Sequence, residues 1–258
     1  MSLQVARRGS GPDLVLLHGW GMNPGVWSGL PAHLTRGYRQ HRIALPGHAG
    51  SPIGPGAQEL AGWASACLAA APDRALWVGW SLGGLVSLAA ALQAPQRVRA
   101  LILITTSPCF TRRADWPSAM PIGTLDQFQA NLLADPAGTL ERFLALQVRG
   151  SDAALPTLRW LRWEIRRHPA PNADALAAGL RLLRESDLRA LLSRLVPDSL
   201  WLFGGRDTLV PAALSEHIAG LAARARVRVI AGSGHAPFLS HPDATSEAIG
   251  DFLAEAGS

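Results

Sequence analysis

The sequence contains no lysine, so every one of its 24 strongly basic side chains is an arginine. We interpret the missing lysine as codon bias, whereas the formal net charge of +5 suggests an acidic partner or substrate. Cysteine is scarce as well. Cys67 and Cys109 are expected to be separate buried thiols and not a disulfide, which fits a cytoplasmic chain.

Long apolar runs and targeting signals are also missing. Residues 14–17 and 101–104 are far too short to span a bilayer, and the start, MSLQVARRGSGP, has no apolar core of a secretory signal. We therefore expect a cytoplasmic protein with no membrane partner. Zinc-finger and RNP-type patterns are absent, so no nucleic-acid partner is expected. The eight histidines show no H-E-x-x-H or comparable spacing, so no metal is expected either.

Short apolar segments alternate with helical patterns along most of the chain. Strands are predicted at 14–19, 42–45, 75–79, 101–105, 200–205 and 227–232, and helices at 60–71, 82–93 and 212–222. Near-continuous apolar strands with intervening helices indicate a mostly parallel sheet covered on both faces, that is, an α/β fold. A chain of 258 residues has room for one such domain with a sizeable insertion.

Residues 109–190 break this alternation, because they contain four helical patterns and no convincing strand. Thr124 and Gln127 predict a capping box for the first helix, and Asp135 and Pro136 predict the N-cap and first residue of the second. We interpret 109–190 as a helical lid inserted into a core formed by 1–108 and 191–258. A lid over the carboxyl ends of the strands would cover a substrate pocket.

Gly79, Ser81 and Gly83 form a G-x-S-x-G pattern between a predicted strand and a predicted helix. A strand that turns sharply into a helix strains its corner residue and leaves room only for small neighbours, while the serine hydroxyl is exposed at the helix N-terminus. This context predicts that Ser81 is a nucleophile. The alternative is a plain strand-to-helix turn with incidental glycines.

A serine hydroxyl needs a base, and the base needs an acid that orients it. Asp207 and His235 each follow a predicted strand and occur in the required order after Ser81. They are therefore the candidate acid and base, although either could instead be an ordinary loop residue. The backbone amides of Leu82 and Trp20 are the candidate oxyanion donors, and His18 is expected to be structural.

Four segments together resemble the α/β-hydrolase superfamily: LLHGWGMNPGVW, GWSLGGLVSLAA, FGGRDTLVP and GSGHAPFLSHP. More narrowly, five segments resemble the BioH-like pimeloyl-[acyl-carrier protein] methyl ester esterases: HGWGMN, VGWSLGGLVSL, TTSPCF followed by DWP at 115–117, ERFLALQ and GHAPFLSHP. The superfamily pattern D-x-P-G-x-G-x-S has Ala44 and Ala49 in place of its aspartate and its second glycine. We expect this to alter loop packing and not the chemistry.

The resemblance implies an α/β-hydrolase fold and a serine esterase of biotin synthesis that needs no cofactor. Its substrate would be the pimeloyl methyl ester carried by acyl carrier protein, and its products methanol and pimeloyl-acyl-carrier protein. The site residues that it implies are Ser81, Asp207 and His235 as the triad, Trp20 and Leu82 as oxyanion donors, and Phe143 in the acyl channel. A monomer is expected.

Arginines are concentrated in the second half of the predicted lid and just after it, where residues 142–194 hold ten of them against five acids. Acyl carrier protein is acidic and carries a phosphate, which suits arginine. The candidate carrier-binding residues are Arg142, Arg149, Arg159, Arg162 and Arg166, of which the resemblance matches Arg142 and Arg159. The alternative is an ordinary solvated basic face.

Two other functions stay open at this point. A general short-chain carboxylesterase or lactonase would use the same triad but would gain nothing from a carrier protein. A non-catalytic ligand-binding module would share the fold without an activated serine.

Overall fold

A computed structural model describes residues 2–256 as a seven-stranded sheet with helices on both faces. The strand order is β1-β3-β2-β4-β5-β6-β7, and only β1 runs antiparallel to its neighbour. The strands are β1 (Val5–Arg8), β2 (Asp13–Leu17), β3 (Arg39–Ile43), β4 (Ala75–Trp80), β5 (Val98–Ile104), β6 (Asp198–Gly204) and β7 (Ala225–Ile230). The predicted α/β class is confirmed.

All six predicted strands are present, and their ends differ from the predicted ones by three residues at most. The edge strand β1 was not predicted. Its sequence, VARR, is mostly solvent-exposed and pairs with β3 on one side. An exposed edge strand lacks the apolar pattern by which the buried strands are recognised.

Helices outside the insertion cover the sheet: α1 (Ala32–Thr35), α2 (Leu60–Ala70), α3 (Leu82–Gln93), α8 (Ser215–Leu221), α9 (Pro237–Ser240) and α10 (Pro242–Ala256). The predicted helices at 60–71 and 82–93 are confirmed as α2 and α3. The segment predicted as one helix at 212–222 divides into a 3-10 turn, Ala212–Leu214, followed by α8.

Four helices lie between β5 and β6: α4 (Ile122–Ala134), α5 (Pro136–Gln147), α6 (Ala154–Ile165) and α7 (Ala173–Glu185). The Asp135 cap is confirmed, because its side chain accepts a hydrogen bond from the Gly138 amide at 2.9 Å. The predicted capping box at Thr124 is wrong. Pro121 occupies the N-cap position of α4, so the helix has already begun when it reaches Thr124.

Alternating residues of the central strands build two cores on opposite faces of the sheet. Along β2, Val15 and Leu17 join the larger core with α2, α3 and the insertion, whereas Leu14 and Leu16 join the smaller one with α10 and α6. The carboxyl ends of the parallel strands are thereby held at one rigid edge, which is where loops can position reactive groups.

Cys67 and Cys109 are buried free thiols, as predicted. Burial raises the pKa of the Cys67 thiol to about 12, so this group stays protonated and unreactive. No helix between residues 2 and 256 is both long enough and apolar enough to cross a membrane.

Candidate active site

Ser81 is the corner residue between β4 and α3. Its backbone angles, φ 54° and ψ −119°, lie outside the regions that non-glycine residues normally adopt. Its amide donates to the Ile104 carbonyl at 2.9 Å. The strained corner predicted from the G-x-S-x-G pattern is therefore present.

The two glycines of the pattern are required by space. A Cβ at Gly79 would overlap the Gly83 carbonyl and the hydroxyl of Ser87, and one at Gly83 would overlap the Leu17 carbonyl at the end of β2. The tight turn therefore packs α3 directly against the backbone of its own strand and of the neighbouring strand.

Asp207 and His235 lie in contact at the carboxyl ends of β6 and β7. Nδ1 of His235 donates to Oδ2 of Asp207 at 2.7 Å, and both side chains are buried. The other carboxylate oxygen, Oδ1, accepts from the amides of Leu209 at 2.8 Å and Val210 at 3.1 Å. The carboxylate is thus fixed, and its bond to Nδ1 leaves Nε2 as the nitrogen able to accept a proton.

The loop that carries His235 is joined to the strand that carries Ser81. The indole nitrogen of Trp80, the residue before Ser81, donates to the His235 carbonyl at 2.7 Å. Nε2 of His235 is buried and has no hydrogen-bond partner among residues 2–256. A polar atom in this situation is unusual unless it serves an incoming group.

The loop after β2 packs against the serine from the other side. A Cβ placed on Gly19 would lie 3.5 Å from the Cβ of Ser81, which puts the neighbouring amide of Trp20 close to the corner. The amide of Leu82 is among the first N–H groups of α3, which have no partner within the helix. Both candidate oxyanion donors therefore border Ser81.

His18 ties this loop down, in agreement with its predicted structural role. Its Nε2 accepts from the Leu45 amide at 3.1 Å, and Nδ1 donates to the Gly19 carbonyl at 2.8 Å. Burial, with His48 nearby, holds the pKa of His18 well below its usual range. The ring is therefore neutral and is not a second base.

Trp20 and Phe143 close the site from the side of the insertion. Their rings meet edge to face with centroids 4.7 Å apart, and the indole nitrogen of Trp20 donates to the Leu176 carbonyl at 2.8 Å. Trp20 is fully buried and Ser81 is only 3% exposed, so the site is closed to solvent. A separate open cavity of about 780 Å³, lined in part by Trp116, Arg189 and His217, contains none of the predicted site residues.

The five candidate arginines of the insertion differ in their surroundings. Four of them are exposed, namely Arg142, Arg149, Arg159 and Arg166, and Arg166 lies 3.9 Å from the Glu141 carboxylate. Arg162 donates to Glu141 at 2.8 Å and joins α6 to α5. Arg142 bonds within α5, to the hydroxyl of Thr139 at 3.0 Å.

Three contacts of His235 were not anticipated from the sequence. Its carbonyl accepts from Trp80 and from the hydroxyl of Thr105, and its amide donates to the Gln147 carbonyl at 2.8 Å. Only Trp80, by its place inside the G-x-S-x-G pattern, gave any signal of proximity to the serine.

The chain is similar to known proteins of one fold family. Residues 12–242 match the family model of the alpha/beta hydrolase fold. The pimeloyl-[acyl-carrier protein] methyl ester esterase of Xanthomonas axonopodis pv. citri is 46% identical over 246 residues, 95% of this chain and 96% of the relative. The relative of the same name from Nitrosomonas europaea is 43% identical over 242 residues, 94% and 96% of the two chains.

A solved esterase from Exiguobacterium antarcticum superposes with a TM-score of 0.85 at 23% identity, covering 99% of this chain and 96% of its own. This likeness shows the fold. With the sequence relatives, it leads to one conclusion: the chain belongs to the α/β-hydrolase fold family and, within it, to the pimeloyl-[acyl-carrier protein] methyl ester esterases.

Proposed function

We propose that this protein hydrolyses the methyl ester of pimeloyl-acyl-carrier protein to methanol and pimeloyl-acyl-carrier protein, a step of biotin synthesis. The observation that carries the proposal is the buried Asp207–His235 hydrogen bond beside the strained corner of Ser81. The choice of substrate is inferred from the family to which the chain belongs.

In the acylation step, Nε2 of His235 takes the proton of Ser81 as the hydroxyl oxygen attacks the ester carbonyl. Negative charge then develops on the carbonyl oxygen. The amides of Trp20 and Leu82 would donate to that oxygen, and each such donor contributes about 3 kcal/mol to the transition state. Methanol leaves with the proton that His235 holds.

In the deacylation step, His235 takes a proton from water, which attacks the acyl-serine carbonyl. The imidazolium then returns its proton to the Ser81 oxygen, and the acid that leaves loses its proton to solvent. Asp207 keeps Nδ1 protonated and stabilises the imidazolium throughout. The chemistry requires only these side chains, the two amides and water.

The closed site sets a condition on how the substrate enters. Trp20 packs on Phe143 of α5 and is bonded to α7. We infer that an acyl chain reaches Ser81 when the contacts of Trp20 with these helices open. The side chains that close the site, among them Trp20, Phe143 and Leu176, are aromatic or aliphatic, which suits the methylene chain of a pimeloyl group.

One face of α6 suits the carrier protein. Leu155, Arg159, Arg162 and Arg166 follow helical spacing, so they share a face. Leu155 is 70% exposed, and the adjoining Trp163 is 52% exposed. Exposed arginines between apolar side chains offer both charge and contact area to an acidic protein.

The carrier part of the proposal is tested by comparing two substrates. One is the methyl ester on acyl carrier protein, and the other is the same acyl group on pantetheine alone. Arg159→Glu should lower kcat/KM for the carrier-linked ester about tenfold, by loss of electrostatic attraction, and leave the pantetheine ester unchanged. The difference should shrink with added salt.

Arg99→Glu is the matched control. Arg99 is an exposed arginine near the start of β5, at the amino ends of the strands, whereas the insertion follows the carboxyl end of β5. It should affect neither substrate. Equal kcat/KM values for the two substrates in the wild type would replace the proposal with a general short-chain esterase.

A fluorophosphonate probe separates an enzyme from a binding module, because only an activated serine reacts with it. We expect stoichiometric labelling that is lost in Ser81→Ala. The absence of labelling in the wild type would contradict a hydrolytic function.

We also propose a cytoplasmic monomer. Two buried free thiols suit a reducing compartment. The exposed large apolar side chains belong to several different elements, among them α4, α6 and β7. Sedimentation of the purified protein tests its oligomeric state.

A further inference from the structure

Thr105, the first residue after β5, has a strained backbone. Its φ is +41°, a left-handed value that is rare for any side chain and rarest for one branched at Cβ. Within residues 2–256, only Ala49 and Ser81 share this feature among non-glycine residues. Strain of this kind persists where the surroundings enforce it, and it is concentrated at functional sites.

The hydroxyl of Thr105 is hydrogen-bonded to the backbone of the candidate base. Oγ1 donates to the backbone carbonyl of His235 at 2.7 Å. The same carbonyl oxygen accepts from the indole nitrogen of Trp80, also at 2.7 Å. Thr105 and Trp80 are fully buried, and His235 is only 1% exposed. One carbonyl oxygen thus holds two short hydrogen bonds away from solvent.

The two donors come from the strands that build the serine corner. Trp80 immediately precedes Ser81 on β4, and Thr105 follows β5, the neighbour of β4 in the sheet. The Ser81 amide is itself bonded to Ile104 of β5. The backbone of His235 is therefore hydrogen-bonded to the same strand ends that hold Ser81.

The Asp207 contact alone does not fix the imidazole. A single hydrogen bond to Nδ1 allows the ring to move on an arc about the carboxylate. The position of Nε2 then depends on where the backbone of His235 lies. Its amide is held by Gln147 of α5, and its carbonyl by the two donors.

We propose that Thr105 and Trp80 are positioning residues for the base of the hydrolytic reaction, acting through the carbonyl of His235. This rests on the proposed function only in taking His235 as that base. Thr105 acts through this carbonyl, and the ring of Trp80 also lies beside the imidazole, with centroids 6.0 Å apart. Their hydrogen bonds set the distance between Nε2 and the Ser81 hydroxyl, so they act on kcat and leave substrate binding unchanged.

The test uses three threonine variants and a simple butyrate ester, so that carrier recognition plays no part. Thr105→Val keeps the shape and the branched Cβ but removes the donor. Thr105→Ser keeps the donor. Thr111→Val is the matched control, because Thr111 is fully buried and its Oγ1 donates to the Arg184 carbonyl at 3.0 Å.

For Thr105→Val we expect kcat to fall about tenfold while KM changes less than about twofold, the result of one lost buried hydrogen bond expressed in the transition state. Thr105→Ser should keep at least about half of the wild-type kcat. Thr111→Val should match the wild-type kcat even where its melting temperature falls. The low-field proton NMR signal of the Nδ1–H shared with Asp207 should weaken only in Thr105→Val.

Trp80→Phe removes the second donor and supplies an independent variant. Combined with Thr105→Val, it leaves the buried carbonyl without a partner, so the combined loss in kcat should exceed the product of the single losses. An unchanged kcat in Thr105→Val, a loss that Thr105→Ser does not recover, or an equal loss in Thr111→Val overturns the proposal. Activity that survives in Ser81→Ala would instead overturn the proposed function.

Discussion

Nδ1 of His235 lies 2.7 Å from Oδ2 of Asp207, and both side chains are buried. The carboxylate is fixed in turn by the amides of Leu209 and Val210. An imidazole held in this way has one defined tautomer, with Nε2 free to accept a proton. The contact joins two loops that are 28 residues apart in the sequence.

The first prediction concerns Asp207. Asp207→Asn keeps the shape of the side chain but allows the wrong tautomer of His235, so kcat should fall on the order of 10⁴-fold. Ser81→Ala and His235→Ala should each cost as much or more, and the combined variants little beyond that. Steady-state kinetics check this against melting curves. A mild loss in Asp207→Asn would contradict the proposed orienting role.

The second prediction concerns the packing of the serine corner. Gly83→Ala would push a Cβ into the carbonyl oxygens of Leu17 and His18, so it should lower the free energy of unfolding by about 3 kcal/mol and reduce activity. Gly250→Ala is the control, because Gly250 lies in α10 with open space around it. It should raise stability by about 0.5–1 kcal/mol. Denaturant melts that rank the two variants otherwise would contradict the steric account.

The third prediction concerns acid stability. Burial lowers the pKa of His48 from its ordinary value of 6.5 to about 4. The folded state then binds fewer protons than the unfolded state between these values, so stability is fully present above pH 6.5 and falls as the pH drops towards 4. His48 contributes on the order of 3 kcal/mol to this loss.

His48→Gln should remove that contribution and flatten the dependence of the unfolding free energy on pH between about 6.5 and 4. Urea melts at several pH values measure the slope. An unchanged slope in the variant would show that His48 is not held neutral by the fold.

The fourth prediction concerns Ala49, which stands where the superfamily pattern has a glycine. Its φ is +45°, so the loop keeps a conformation that suits glycine. Ala49→Gly should therefore stabilise the protein by about 1 kcal/mol, a rise in melting temperature of roughly 2–4 °C. Ala219→Gly, in the exposed part of α8, should have the opposite sign. A loss of stability in both variants would contradict the account.

The central strands could be predicted because each is an apolar run that ends in turn residues. The buried pair β4 and β5 are examples. The edge strand β1 has one pairing partner and exposed arginines, so no pattern revealed it. At the start of α4 the sequence offered two competing signals. The fixed backbone of Pro121 begins the helix before the capping pattern at Thr124 can act.

The candidate triad could be predicted from strand ends and chain order alone. The hydrogen bonds that hold the triad in place could not be predicted in this way. The bond from Thr105 to the His235 carbonyl joins residues 130 positions apart, and it depends on a strained backbone angle that no local pattern encodes. The spacing that placed Arg162 among the carrier-binding candidates likewise gave no sign of its bond to Glu141.

The measurement that most directly tests the central claim is the mass of acyl carrier protein bearing the pimeloyl methyl ester, followed over time with the wild-type protein and with Ser81→Ala. We predict that the wild type removes the methyl group, with release of methanol, and that Ser81→Ala leaves the carrier unchanged. A wild-type protein that cleaves a simple butyrate ester but leaves the carrier-linked methyl ester intact would contradict the proposed function.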